Sequence, residues 1–127
     1  MEVLASLLSA AAGIAAVSGV AHHIRRATMS GNLGKNSAVG LRTRITKSSD
    51  AAWESGHRAA APWLLACAYT GYSSSVLTVV FAVVAAVGGF SGVGAMIIPA
   101  IGFVAVIIIL VVATAIAHRA GKDAIHK

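Results

Sequence analysis

The sequence predicts an all-α integral membrane protein: three transmembrane helices with a structured cytoplasmic loop. Three observations lead there. Only 11% of the 127 residues are charged and 57% are hydrophobic, whereas an ordinary soluble domain carries about a quarter charged residues. The deficit is concentrated in long charge-free runs, the pattern of membrane spans. Every Lys and Arg falls within residues 22–62 or 118–127, flanking those runs as residues retained on the cytoplasmic side do.

The first span is 3–21, Val3 to Ala21, charge-free and close to the ~20 residues needed to cross the hydrocarbon core. A signal peptide would carry a basic stretch before its apolar run, but Glu2 is the early charge here. Cleavage after it would also export the most basic loop of the chain. The segment is therefore expected to stay as a helix entering from outside.

Residues 22–62 form the cytoplasmic loop. They hold Arg25, Arg26, Lys35, Arg42, Arg44, Lys47 and Arg58, seven of the ten basic residues. The run 30–34 reads as a turn. Ser48, Ser49 and Asp50 are helix N-cap types and predict a short helix from Asp50 to Ala61. On it Trp53 and His57 share a face, and Glu54 and Arg58 form an acid-first i,i+4 pair. Pro62 is placed to start a new helix.

The second span is 63–89, opening on Trp63 as an interfacial anchor. It is longer than a bilayer requires, which implies tilt or a protruding end. Its first half is polar for a membrane helix, with Tyr69, Thr70, Tyr72, Ser73, Ser74, Ser75 and Thr78. Such groups glue helices together, and Gly71 with Ser75 permits close approach. A short uncharged turn, 90–93, leads to the third span, 94–117, whose outer end is expected to kink at Pro99. The tail, 118–127, carries Arg119, Lys122 and Lys127. Three spans put the termini on opposite sides, and the charges place the N-terminus outside and the C-terminus in the cytoplasm. The whole chain, 1–127, is one membrane domain.

Several functions are excluded as first readings. The net charge of +6 and pI of about 10.3 would fit nucleic acid, but the basic residues flank spans instead of forming one patterned face. The lone Cys67 has no spaced partners for a metal, and it is expected to be a small core or lipid-facing residue. His22 and His23 lack a third ligand. Catalysis is not expected: the acids are Glu2, Asp50, Glu54 and Asp123, and no phosphate loop or nucleophile elbow is present. No cofactor is implied.

The loop contains NSAVGLRTRITKSSDAAWESGHR at 36–58. Gly40-Leu41-Arg42-Thr43 is followed by Thr46, by Ser48-Ser49, and then by Trp53 with His57-Arg58 four residues on; Asn36 stands just upstream. This pattern resembles the signature of the SdpI family, membrane proteins named after an immunity protein against a secreted killing peptide. Relatives often carry Pro-Trp where this chain has Arg44 and Ile45, and the named immunity protein has additional spans. The resemblance implies a bacterial plasma membrane and a role in immunity to, or sensing of, membrane-active peptides or envelope stress.

The residues themselves supply partner- or lipid-binding candidates: Asn36, Gly40, Arg42, Thr43, Thr46, Ser49, Trp53, His57 and Arg58. Gly40 allows backbone geometry closed to other residues. Arg42 offers a planar fork for phosphate or carboxylate, or serves as an ordinary topology charge. Thr43, Thr46 and Ser49 offer hydroxyls that cap the following helix. Trp53 fits an interfacial anchor, and His57 fits a structural hydrogen bond as well as a site. One arrangement lays the loop along the inner membrane surface, with Arg42, His57 and Arg58 meeting an anionic lipid headgroup, a partner loop or the helix ends. Besides the lipid bilayer, the expected partners are further copies or a larger membrane protein to which this chain is an accessory subunit. Gly13, Gly71, Ser75, Gly94 and Gly102 would offer the contact surfaces.

Overall fold

The computed structural model describes residues 2–31, 40–88 and 93–125. Among them are three long helices: α1 (Glu2–Ser30), α2 (Asp50–Gly88) and α3 (Ile97–Ile125). Short 3-10 turns, Thr46–Ser48 and Val93–Met96, precede α2 and α3. All three helices are long and apolar enough to cross a membrane, so the chain is an integral membrane protein of the expected class.

Each helix outruns its apolar span. At about 1.5 Å per residue the 39 residues of α2 extend roughly 58 Å, twice the ~30 Å hydrocarbon core. Its charges, Asp50, Glu54 and Arg58, all lie at its N-terminal end, and none follows before Gly88. That end is therefore the overhang. The charges at the C-terminal ends of α1 (Arg25, Arg26) and α3 (Arg119, Lys122, Asp123) lie at the same end of the bundle.

The expected boundaries change accordingly. The first helix continues past 21 to Ser30, where Gly31, at φ +78°, turns the chain and donates its N–H to the Thr28 carbonyl at 3.2 Å. No new helix starts at Pro62, which lies inside α2. Most of the 118–127 tail is the last part of α3. Pro99 falls in the first turn of α3, where a missing N–H breaks no helical bond. The expected turn at 90–93 lies almost wholly outside the described residues, as do 32–34 of the turn at 30–34.

α2 is the central helix. α1 and α3 each pack along it and touch one another little. Both pairings are antiparallel. On one side the Ser75 hydroxyl donates to the Ala11 carbonyl at 3.0 Å, and the Tyr72 hydroxyl lies 3.4 Å from His22 Nδ1. On the other side Cys67 Sγ sits 4.0 Å from the Val106 carbonyl oxygen, so Cys67 is a core residue.

The expected polar glue of α2 is largely used within the chain. Ser75 and Thr78 are buried, and Ser74 packs against Gly102. A Cβ at Gly102 would lie 2.6 Å from the Ser74 side chain, and one at Gly71 would overlap the Ser18 side chain. These glycines set how closely the helices approach. Among the described residues nothing lies within 4 Å of a Cβ added at Gly13 or Gly94, so neither makes such a contact there.

Gly71→Ala is expected to lower the thermal midpoint in detergent, with an overpacking cost of about 1–3 kcal/mol. Gly13→Ala should leave it unchanged or slightly raised, since alanine is the better helix former. Equal midpoints for the two variants would mean that Gly71 does not set the α1–α2 distance.

Candidate functional site

Residues 40–49 fold into a compact cap over the overhanging end of α2. Its floor is Trp53, only 2% exposed, with its indole centroid 4.2 Å from that of the His57 imidazole. The i,i+4 spacing puts both rings on one face of α2. Gly40 crosses directly above them at φ +137°, a conformation that L side chains rarely adopt. An added Cβ there would lie 2.7 and 2.8 Å from Trp53 Cη2 and Cζ2, and 3.0 Å from His57 Nε2. Glycine is needed for both the backbone angle and the contact.

The crossing brings the next amide onto the histidine. Leu41 N–H donates to His57 Nε2 at 2.8 Å, and His57 Nδ1 lies 2.8 Å from the Trp53 carbonyl oxygen. An acceptor role for Nε2 assigns the proton to Nδ1, so the ring is the neutral Nδ1–H tautomer. Leu41 itself drops into the hydrophobic core beside Ala60, Leu64 and Ala117.

Thr46 closes the turn. Its fully buried hydroxyl donates to the Leu41 carbonyl at 2.7 Å and accepts the Thr43 N–H at 2.8 Å. Thr46 N–H in turn donates to Thr43 Oγ1 at 3.1 Å. Ser49 is the N-cap of α2: its hydroxyl accepts the Ala52 N–H at 3.0 Å, satisfying one of the orphan donors of the first turn. Ser49 therefore caps as expected, whereas Thr43 and Thr46 build the loop.

The cap also binds α2 to α3. His118 Nδ1 lies 3.1 Å from Thr43 Oγ1. A Cβ on Gly56 would meet the Ala117 carbonyl oxygen at 2.7 Å and the Thr46 methyl at 3.1 Å. One on Gly121 would meet the Ala52 carbonyl oxygen and the Ile45 Cγ2 methyl, each at 3.2 Å. The loop thus fills the wedge between the overhanging ends of the two helices. This packing explains why α2 runs unbroken through Pro62: its N-terminal turns are held from two sides, and tertiary contacts outweigh the local preference for a break.

The candidates divide clearly. Gly40, Thr43, Thr46, Ser49, Trp53 and His57 are drawn together as the cap, and Arg42 lies above Trp53, its guanidinium carbon 6.0 Å from the ring centroid. Arg58 is exposed and pairs with Glu54 at 3.2 Å, a contact of small energetic weight. Asn36 lies outside the described residues. Two expectations are corrected. Trp53 is not an anchor at the headgroup level, because it is the buried floor of the loop. His57 does not face a headgroup beside Arg42 and Arg58, because both its ring nitrogens are engaged inside. Of the expected partners of the loop, the helix ends are the one the structure brings to it, at the end of α3; His118 itself was missed, and the run Leu110, Thr114, His118, Lys122 at spacing four is the signal that could have found it.

His57 is sealed inside the cap, and Asp50, Glu54 and Asp123 are all exposed. Among the described residues no three of His, Cys, Asp and Glu come together to hold a metal ion.

Burial holds the His57 pKa below its ordinary 6.5, the bond to the Trp53 carbonyl opposing in part. A depressed folded-state pKa favours the neutral ring, so its contribution to cap stability is full above about pH 6.5 and is lost as pH falls through the lowered value. The protection factor of the Leu41 amide, followed against pH in a His118→Gln background to silence the neighbouring imidazole, should fall toward one as the solution is acidified. A flat protection profile down to pH 4 would show that His57 is not the titrating latch.

No curated protein and no solved structure matches the chain. A family model does, that of the SdpI/YfhL protein family, over residues 32–117. The match takes in the cap, all of α2 and α3 as far as Ala117, the residue that meets Gly56, and with that coverage the chain belongs to the SdpI/YfhL family.

Proposed function

We propose that this protein protects the membrane that holds it against membrane-active peptides, or senses their presence there. The observation that carries this reading is the family match over 32–117, whose motif residues 40–57 are built into the cap. The cap fixes two helices relative to each other, and its central histidine, His57, is engaged at both ring nitrogens, which supports a structural role for the motif in shaping the protein's surface. The outward faces of the spans are rich in exposed aliphatic residues, among them Val76, Val80, Val83, Ile101, Ile108 and Val111. A peptide inserted in the bilayer would meet these first. In this reading the membrane is a bacterial plasma membrane and the cap end faces the cytoplasm, in keeping with the clustered Lys and Arg.

The test is expression in a sensitive bacterial host challenged with a panel of pore-forming peptides, including a secreted killing peptide. Protected growth with the wild type and its loss with Trp53→Ala are expected. Unchanged sensitivity across the panel with wild-type protein present in the membrane would overturn the proposal.

A second reading rests on Tyr69 and Ser73. Four residues apart on α2, they are exposed along the span instead of buried with Ser75 and Thr78. Polar groups at such positions serve to hydrogen-bond a neighbouring helix, so the chain would be an accessory subunit or a homo-oligomer. Purification in mild detergent decides it: a stoichiometric larger membrane protein supports the subunit form, and a clean monomer removes the reading.

A further inference from the structure

A groove of about 970 Å³ runs along one face of α3 beside the cap. Its two ends differ in chemistry. The end within the span is lined by Ile107, Leu110, Val111, Thr114 and Ala115. Thr114 adds little polarity there, because its hydroxyl donates to the Leu110 carbonyl one turn back at 2.8 Å. The end at the cap is lined by Thr43, His118, Arg119, Lys122 and Asp123. Arg119 and Lys122 are exposed, and with the Asp123 carboxylate beside them the polar end keeps a net positive charge.

We infer that this groove holds an anionic phospholipid, its phosphate at Arg119 and Lys122 and an acyl chain along Ile107, Val111 and Ala115. Three features argue for that occupant. The change from apolar to basic occurs where α3 leaves its apolar span, the depth at which a lipid changes from tail to headgroup. From Ile107 to Lys122 the helix rises roughly 22 Å, about half of a bilayer that measures ~40–45 Å with its headgroups. The charge sign is complementary to a phosphate, and the guanidinium of Arg119 is the side chain best shaped to pair with one. The residues differ from Arg42, His57 and Arg58, and the inference does not depend on the protective function.

The test is native mass spectrometry of the full chain released from detergent, titrated with phosphatidylglycerol or phosphatidylcholine. Wild type should retain phosphatidylglycerol in preference to phosphatidylcholine. Each basic residue near a membrane surface favours anionic lipid by a factor of roughly five, so Arg119→Ala/Lys122→Ala should lower the preference by at least about tenfold. Asp123→Asn should raise it, and Ala115→Trp, which fills the apolar end, should reduce retention of phosphatidylglycerol while leaving the cap amides protected. Free glycerol phosphate should not displace the lipid.

Four results would overturn the inference. They are equal retention of the two lipids by wild type, a preference unchanged in the double variant, displacement by glycerol phosphate alone, and a lipid-free dimer dispersed by Ala115→Trp. The last would assign the groove to a second copy of the chain.

Discussion

Trp53→Ala is expected to dismantle the cap while leaving the membrane helices inserted. Truncating a buried tryptophan costs about 3–5 kcal/mol, and here the loss has a directed consequence. The indole is the surface on which Gly40 rests, the stacking partner of His57 and the ring beneath Arg42. Without it the imidazole is no longer held under the Leu41 amide, and the bond from Leu41 N–H to Nε2 opens. Thr46 then loses the turn in which its hydroxyl bridges Leu41 and Thr43. Hydrogen exchange measures this residue by residue: the Leu41 and Thr43 amides should lose their protection. The α1–α2 contacts at Ser18 and Ser75 lie well along the span and should keep theirs, because the hydrogen bonds and glycine contacts of the cap join α2 to α3. Undiminished protection at Leu41 would show that backbone closure, not the indole, holds the loop.

How far such roles could be read from the sequence depended on the kind of signal. The three spans were legible because charge cannot be hidden in lipid, so their absence of charge is unambiguous. Their limits were not. Hydropathy reports where a helix lies in hydrocarbon, whereas the helix itself ends where its backbone is turned aside, as at Gly31. It also continues wherever packing supports it, as through Pro62 and on to Ile125. Parts of the site were legible too. Spacing showed that Trp53 and His57 share a face, and Ser49 reads as an N-cap. Spacing cannot show what covers that face. The covering segment is Gly40 to Thr46, ten or so residues away, and its approach depends on one backbone angle that leaves no periodic trace. The tryptophan that looks suited to the headgroup region is thus interior, while the structural hydrogen bond expected of His57 is present, at both ring nitrogens.

That backbone angle makes Gly40→Ala the most diagnostic substitution in the chain, with an expected loss of about 2–5 kcal/mol in cap stability. Two costs combine. A non-glycine residue at φ +137° is strained by about 1–3 kcal/mol. The new methyl would also sit 2.7 Å from the Trp53 ring, and the ring cannot retreat because His57 is stacked against it. A double-mutant cycle isolates the contact. If the methyl acts through the indole, Gly40→Ala should cost less in a Trp53→Phe background, which keeps a ring against His57 but removes Cη2 and Cζ2, than in wild type, a departure from additivity of the size seen for residues in direct contact. Exchange of the Thr43 amide, bonded to Thr46 and not to His57, gives the common readout for all four proteins. Strict additivity would assign the requirement for glycine wholly to the backbone and leave the stacking of Gly40 on Trp53 without energetic weight.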